Sequence, residues 1–386
     1  MEKEQTKNYD CAVVRCGGYE KEQVKAALKE VIGAIGGLDF VQKGMKIAVK
    51  PNLVSFKKPE EAVTTHPMLL EALIEMLLER GADIVIGDSP GGPNSAVMLS
   101  RVYAATGMNE LEREGVKLNR SLEEKTEDNP EGKQLKRITY TAYLKEADAI
   151  IDFCKLKSHG MMGMSAAVKN LYGAIPGLLK PQMHYQFPNE ADFADMLIDL
   201  NEFLKPRLSI CDAVVGMEGN GPLNGRPREV GAIIAAHRSY DCDLVAAELI
   251  GRKFDELPTL KAAYDRGLAP KTADELSIYG NIDEFRVPDF EAPPVRGLRF
   301  MRKGTVLHFV SSKALAQKPS LNKEKCVGCG ECARLCPAKA ISMKNKKPVI
   351  DRHKCIRCFC CQEFCPKAAM IVHRPLVARA LNKMKL

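Results

Sequence analysis

Eight cysteines toward the C-terminal end of the sequence carry its most specific chemistry. They fall in two runs, Cys326-x2-Cys329-x2-Cys332-x3-Cys336-Pro337 and Cys355-x2-Cys358-x2-Cys361-x3-Cys365-Pro366, the same spacing 29 positions apart. Two-residue gaps let three consecutive thiolates converge on one [4Fe–4S] cluster, and in runs of this type the fourth cysteine ligates the other cluster. The crossing predicts one cluster on Cys326, Cys329, Cys332 and Cys365 and a second on Cys355, Cys358, Cys361 and Cys336. Pro337 and Pro366 each remove an N–H beside a ligand cysteine and end the local helix. Zinc is the competing reading, because Cys-x2-Cys pairs also build ribbons and fingers. Three closely spaced cysteines with a fourth followed by proline do not suit a four-cysteine zinc site. Cys360, inside the second run, reads as a spare thiol. All-cysteine clusters change one electron at low potential, so the runs predict a wire and place any reaction elsewhere.

Four constellations upstream could supply that reaction. Lys50 and Asn52 lie where a short apolar run turns into a loop, and polar groups at the carboxyl ends of parallel strands line ligand crevices. Ile84–Ile86 ends in Asp88 and a Gly-rich loop that can offer N–H groups to an anion, although it is neither a Walker loop nor GxGxxG. Lys155, Lys157 and His159 alternate, so on a strand they share one face. Three such groups repel one another unless an anion sits between them, with Lys169, Asn170 and His184 as further donors. Gly216–Gly225 holds four glycines and implies close backbone approach. Within it Glu218 is a candidate general base if buried, and Asn220 a candidate ligand. Plain turns, a solvated glutamate and a solvated lysine face are the competing readings at each place. Met161, Met162 and Met164 read as core filler.

The elements needed to position these groups follow from the pattern. Between Asp10 and Gly280, short β-branched runs alternate with helical patterns, which predicts an α/β fold: a mostly parallel sheet with flanking helices. Strands are expected at Cys11–Arg15, Lys46–Lys50, Ile84–Ile86, Ala147–Phe153, Leu208–Val215 and Ala232–Ala236. Helices are expected at Glu20–Ile35, His66–Arg80, Ser165–Tyr172, Asp192–Leu204 and Asp243–Ile250, with Leu111–Gln134 as a polar surface excursion. The Pro-rich stretch Val287–Val295 reads as a linker or strap and Thr305–Val310 as a strand. The expected organisation is an α/β domain over 1–286, a strap over 287–317, and a small α+β two-cluster module over 318–386 whose halves each give a short hairpin and a helical turn.

Composition bounds the class. The 386 residues hold fourteen cysteines and a net charge of +8. With a charged start, Met1–Asn8, and no apolar run long enough to span a bilayer, a cytoplasmic setting is expected, which argues against a disulfide framework. Cys11, Cys16, Cys154, Cys211 and Cys242 read as small buried hydrophobes. From Pro319 onward there are 15 Lys/Arg against 4 Asp/Glu, so the cysteine module should attract an acidic redox partner. No recognition motif supports nucleic acid.

The motifs KPNLV at Lys50, HP at His66, GDSPGG at Gly87, KLKSHG…AAVKNLYGAIPG at Lys155 and DAVVGMEGNGP at Asp212 resemble the family called domain of unknown function 362, over roughly Asp10 to Gly280. The tail, from Lys318 to about His373, is similar to two-cluster bacterial ferredoxins. The resemblance implies an α/β domain with a redox-linked role and no settled reaction. Three readings stand together. The first is an iron–sulfur oxidoreductase acting on a small molecule or anion held by Lys50, Asn52, Lys155, Lys157 and His159. The second is an electron carrier whose large domain only docks or binds, and the third is a scaffold for metallocofactor assembly. No nicotinamide fingerprint is present, so a flavin, which no motif supports, or the substrate itself would complete a redox reaction.

Overall fold

The structure is a computed structural model that describes residues 9–292 and 317–373. The expected strand at 305–310 lies outside the described residues. The chain runs β1 (Cys11–Arg15), α1 (Lys21–Ala34), β2 (Lys46–Pro51), α2 (Pro67–Leu78), β3 (Asp83–Ile86), α3 (Ala96–Ala105), β4 (Val116–Leu118), β5 (Glu124–Asp128), β6 (Arg137–Thr141), β7 (Ala149–His159) and β8 (Gly163–Ser165). It continues through α4 (Ala167–Asn170), α5 (Leu179–Gln186), α6 (Glu190–Leu204), β9 (Leu208–Glu218), β10 (Arg226–Ala236), α7 (Ser239–Leu249), α8 (Pro258–Asp265) and β11 (Ile278–Tyr279). The cysteine module adds β12 (Lys318–Leu321), α9 (Glu331–Arg334), β13 (Ile341–Lys344), β14 (Lys347–Ile350), α10 (Cys360–Glu363) and β15 (Met370–His373).

One sheet organises the first of these segments, in the order β11-β1-β10-β9-β7-β2-β3-β4, with β8 hairpinned onto β7. From β9 to β4 neighbouring strands are parallel, and β10 is antiparallel to both β9 and β1. This is the α/β architecture expected, and its helices cover both faces. In β2, Ile47 and Val49 pack with α1, α2 and α3, while Ala48 faces the layer that contains α6. Local chemistry sets the helix ends. His66 caps α2 by accepting the Met68 amide, Pro67 occupies the first turn, and Gly81 takes a positive φ of 74° just beyond the end.

Three differences from the sequence reading have physical causes. The strand expected to stop at Phe153 runs on to His159, because β7 lies between β2 and β9 and every residue in it is buried. The excursion at 111–134 hides an edge strand, since β4 pairs with β3 through buried Val116 and Leu118. The helix expected at Ser165–Tyr172 begins only at Ala167, because Ser165 completes the β7–β8 hairpin opposite Lys157. In the cysteine module, β13–β14 is a local hairpin, whereas β12 pairs with β15 and so joins the two ends of the module.

No helix among the described residues is long and apolar enough to cross a membrane. Of the Pro-rich stretch, Phe290 and Ala292 are buried in the core beside α7, and the Val287 amide donates to Leu249 O. The excursion is pinned by one carboxylate: Asp199 on α6 accepts the Lys133 and Leu135 amides at 2.9 Å each and pairs with Arg266 at 2.8 Å. Asp199→Ala should cost about 3 kcal/mol, because it strands a partly buried guanidinium and several amides. Urea unfolding of the two proteins side by side measures it.

Candidate functional site

The carboxyl ends of β2, β3, β7 and β9 carry a layer of buried charge. Lys50 at the end of β2 lies 2.8 Å from Asp88, just past β3, and both side chains are essentially inaccessible. Asp88 also accepts the Leu53 amide at 2.7 Å. Gly173 is obligatory beside this pair, since a Cβ there would run into Asp88 Oδ1 and Lys50 Nζ. Lys155 pairs with Asp212 at 2.8 Å, directly across the β7–β9 ladder, and donates to the Tyr19 hydroxyl at 2.9 Å. Tyr19 in turn donates to Asp212 and stacks on His66 with ring centroids 3.6 Å apart.

Lys157 is handled differently. Its Nζ donates to Asn52 Oδ1 at 2.8 Å and Val63 O at 2.9 Å, two neutral acceptors. Asn52 passes the chain on to Asn170 at 3.0 Å, and Asn170 to Asp152 at 2.7 Å. Burial pushes the Lys157 ammonium down to about 7, with Lys169 and Lys155 adding repulsion. Burial likewise raises the Asp152 carboxyl to about 8, opposed by Lys50. This short relay therefore ends in two groups that both change charge near neutrality.

A second layer faces the cysteine module. His159 Nδ1 accepts the Met161 and Met162 amides at 3.1 Å each, so its proton sits on Nε2. That nitrogen stands 3.4 Å from Glu363 Oε1, an oxygen with no hydrogen-bond partner among the described residues. Burial and the Lys169 charge keep both His159 and His184 well below the ordinary imidazole range. Lys169 Nζ lies 4.3 Å from the Tyr172 ring centroid, a cation–π contact, and its ammonium is pushed down chiefly by burial. His184 stacks on Phe193 with its Nδ1 unpartnered. Around Glu363 the chain thus gathers His159, Lys157 and Lys169.

The sequence-derived set divides accordingly. The structure brings Lys50, Asn52, Asp88, Lys155, Lys157 and Asn170 into one buried layer, with His159, Lys169 and His184 beside the module. The external anion expected among Lys155, Lys157 and His159 is replaced by internal partners, Asp212, Asn52 and Glu363, because tertiary packing supplies what an isolated strand lacks. Glu218 is buried, not solvated, yet its carboxylate is taken by Arg226 at 2.9 Å and the Glu291 amide at 2.9 Å. Asn220 bridges to the module, its carbonyl accepting Gln362 Nε2 at 2.9 Å. The close approach implied by the glycines is to Ser158, which a Cβ at Gly221 would strike. Sequence reasoning missed Tyr19, His66, Asp152, Asp212 and Glu363. Asp152 and Asp212 were visible as carboxylates inside apolar runs, whereas nothing in the sequence signalled Glu363. It also missed that Cys154 and Cys211 face each other in register across β7 and β9.

The module presents two cysteine-lined cavities. One is lined by Cys326, Cys329, Cys332 and Cys365; the other by Cys336, Cys355, Cys358 and Cys361. Four thiols around each space, three of them from a C-x2-C-x2-C run, suit an all-cysteine iron–sulfur cluster. Cys336 and Cys365 each accept one backbone amide, from Ala340 at 3.3 Å and Ala369 at 3.2 Å, which tunes a bound cluster's potential. The loops are matched as well: Gly328 and Gly330 in the first run and Arg357 and Phe359 in the second all take positive φ. A phenylalanine at φ 61° is strained, and its ring is buried among core residues near β7 and α6. Cys360 lines neither cavity and is buried on α10.

Lys157 gives a pH test. Its folded-state value lies below the ordinary lysine range, so between pH 7 and about 10.5 the unfolded chain binds more protons and stability rises with pH. Below pH 7 the full cost of burying the ammonium is present. The stability of the wild-type chain minus that of Lys157→Met should therefore increase from pH 7 to pH 9.5, as read by urea denaturation; a flat difference refutes the assignment.

Residues 47–248 match the family model described as a domain of unknown function, DUF362, and residues 318–366 match the model of a 4Fe–4S dicluster domain. The chain is 29% identical over 307 residues to a thylakoid-associated protein of Synechocystis sp., covering 77% of this chain and 94% of that one. Among solved structures, the lactate racemase apoprotein of Thermoanaerobacterium thermosaccharolyticum is 16% identical with a TM-score of 0.40, over 64% of this chain and 59% of that one. A Thermotoga maritima protein is 16% identical with a TM-score of 0.35, over 56% of each chain. The chain thus spans less than two thirds of either solved structure. The family match extends over more than half of the sequence, and the chain belongs to the DUF362 family, continued here by an iron–sulfur, ferredoxin-like 4Fe–4S domain.

Proposed function

We propose that this protein is an iron–sulfur redox protein whose module holds two [4Fe–4S] clusters and relays low-potential electrons to or from a small anionic ligand at the seam with the α/β domain. The ligand sets are Cys326, Cys329, Cys332 and Cys365 for the first cluster and Cys355, Cys358, Cys361 and Cys336 for the second. Bound clusters of this kind exchange single electrons at low potential. The observation that carries the reading is the seating of α10. This turn holds Cys361 of the second quartet, and it places Glu363 beside His159 and Gln362 on the Asn220–Gly221 backbone. The second quartet is therefore the inner one, next to groups that can bear protons, and the first is the outer one.

In this reading, Lys169 and His184 bind the ligand: His184 Nδ1 is buried with no hydrogen-bond partner among the described residues, and Lys169 Nζ lies over the Tyr172 ring. Lys157 holds a titratable proton near Glu363 and Lys169, fixed in place by its hydrogen bond to Asn52, and His159 orients against Glu363. Lys50 and Lys155 act structurally, since each already has its carboxylate. The domain division follows: an α/β domain over 1–286, a strap over 287–317 and the module over 318–386, in a cytoplasmic, reducing setting. The internal satisfaction of Lys50 and Lys155 also favours a second reading, an electron carrier whose α/β domain only docks its module.

Anaerobic purification separates the two. The relay requires about eight irons per chain, falling to about four in Cys326→Ser and in Cys355→Ser. Native mass spectrometry should detect a small acid that is lost in Lys169→Ala and His184→Ala while the iron content holds. Clusters without any bound or bindable acid would leave only the carrier reading.

A further inference from the structure

We infer that the face around the first cysteine quartet is the docking surface for an acidic one-electron carrier protein. This rests on the proposed relay and adds to it where the outside partner engages. The two quartets differ in exposure. Cys329 is exposed, whereas Cys358 and Cys361 are buried and the turn between them is packed against the α/β domain. Beside Cys329, Val327 is 63% exposed and lines the same cavity as Met343, which is 36% exposed. An apolar contact placed directly over a redox centre is what short-range electron exchange needs, since close approach there brings the donor's edge near the cluster.

The surround is cationic and held in place. Lys323 and Lys325 precede the first ligand, Lys344 and Lys346 flank the β13–β14 turn, and all four are exposed. Folding brings these two pairs together. Lys347 Nζ donates to Lys323 O at 3.0 Å and Cys326 O at 2.7 Å, tying the hairpin to the ligand loop. The turn also lies close over Gly328, where a Cβ would sit 2.9 Å from that of Lys346. Glu331 is already paired with Arg334, leaving Glu324 as the carboxylate among these lysines. A small apolar centre within a ring of one sign fits a transient, electrostatically steered encounter. Lys339 and Lys354, at the rim of the second quartet, carry the same charge without an exposed ligand cysteine, and they provide the control.

The test uses the full-length, anaerobically prepared holoprotein. Its clusters are reduced in a stopped-flow instrument by reduced viologen, a small cation, and separately by reduced flavodoxin or an acidic plant-type ferredoxin. In the quadruple variant Lys323→Glu, Lys325→Glu, Lys344→Glu, Lys346→Glu, the second-order rate with the acidic carriers should fall at least tenfold at low salt and lose its salt dependence, while viologen reduction persists. Lys339→Glu with Lys354→Glu should change the carrier rate less than threefold. Equal rates in the quadruple variant, an equal loss in the control pair, or no salt-dependent reduction of the wild type by either acidic carrier would overturn the docking surface. Failure of viologen to reduce the wild-type clusters would instead overturn the relay beneath it, and iron content with circular dichroism confirms that each variant is folded and loaded.

Discussion

Four lysines withdrawn from water at one end of the sheet set the terms for the rest of this molecule. A buried ammonium without compensation costs several kcal/mol, so the fold must deliver an acceptor to each from elsewhere in the chain. Asp88 comes from the loop after β3, Asp212 from β9, Asn52 from the loop after β2, and the Ser89 and Ile175 carbonyls reach Lys180. Asp88, Asp212 and Asn52 lie far apart in sequence and meet because parallel strands bring their carboxyl ends to one edge. The same demand explains the glycine at 173, where any side chain would occupy the space the Lys50–Asp88 pair needs.

The cysteine module closes this edge. Its inner turn contributes Phe359, Gln362 and Glu363, which respectively fill a hydrophobic gap, bond the Asn220–Gly221 backbone and face His159. Phe359 tolerates a left-handed backbone that the equivalent Gly330 adopts freely, and the burial of its ring offsets that strain. The symmetry of the twin runs is therefore broken by their surroundings: the second turn is covered by the α/β domain, while Cys329 of the first is exposed. That asymmetry comes from packing alone, since the cysteine spacing is the same in both halves.

Several buried titratable groups meet at this seam. Among the described residues, Lys157 and Lys180 have only neutral oxygen acceptors, so burial lowers both ammoniums to about 7. Lys155, two residues before Lys157 on the same strand, has a carboxylate instead. Neighbouring residues of one type on one face thus take different roles according to what the adjoining strand and loop supply.

By itself the sequence determined the iron–sulfur chemistry, because cluster ligation depends on short-range spacing of a rare residue type that local chain geometry preserves. It also determined the α/β class and most of its elements, since hydrophobic period and helix-end residues act over a turn or two. Lys50, Lys157, His159 and Lys169 could be picked out from composition at strand ends. Only the tertiary structure decided which of them are matched, through Asp88, Asn52 and Glu363 arriving from elements tens of residues away. It alone exposed the hidden edge strand β4 and ran β7 on through its lysines, because the cost of burying a charge depends on partners that no local window contains. And it alone set the second cysteine run against the α/β domain, a choice made by the packing of Phe359 and the bonds of Gln362.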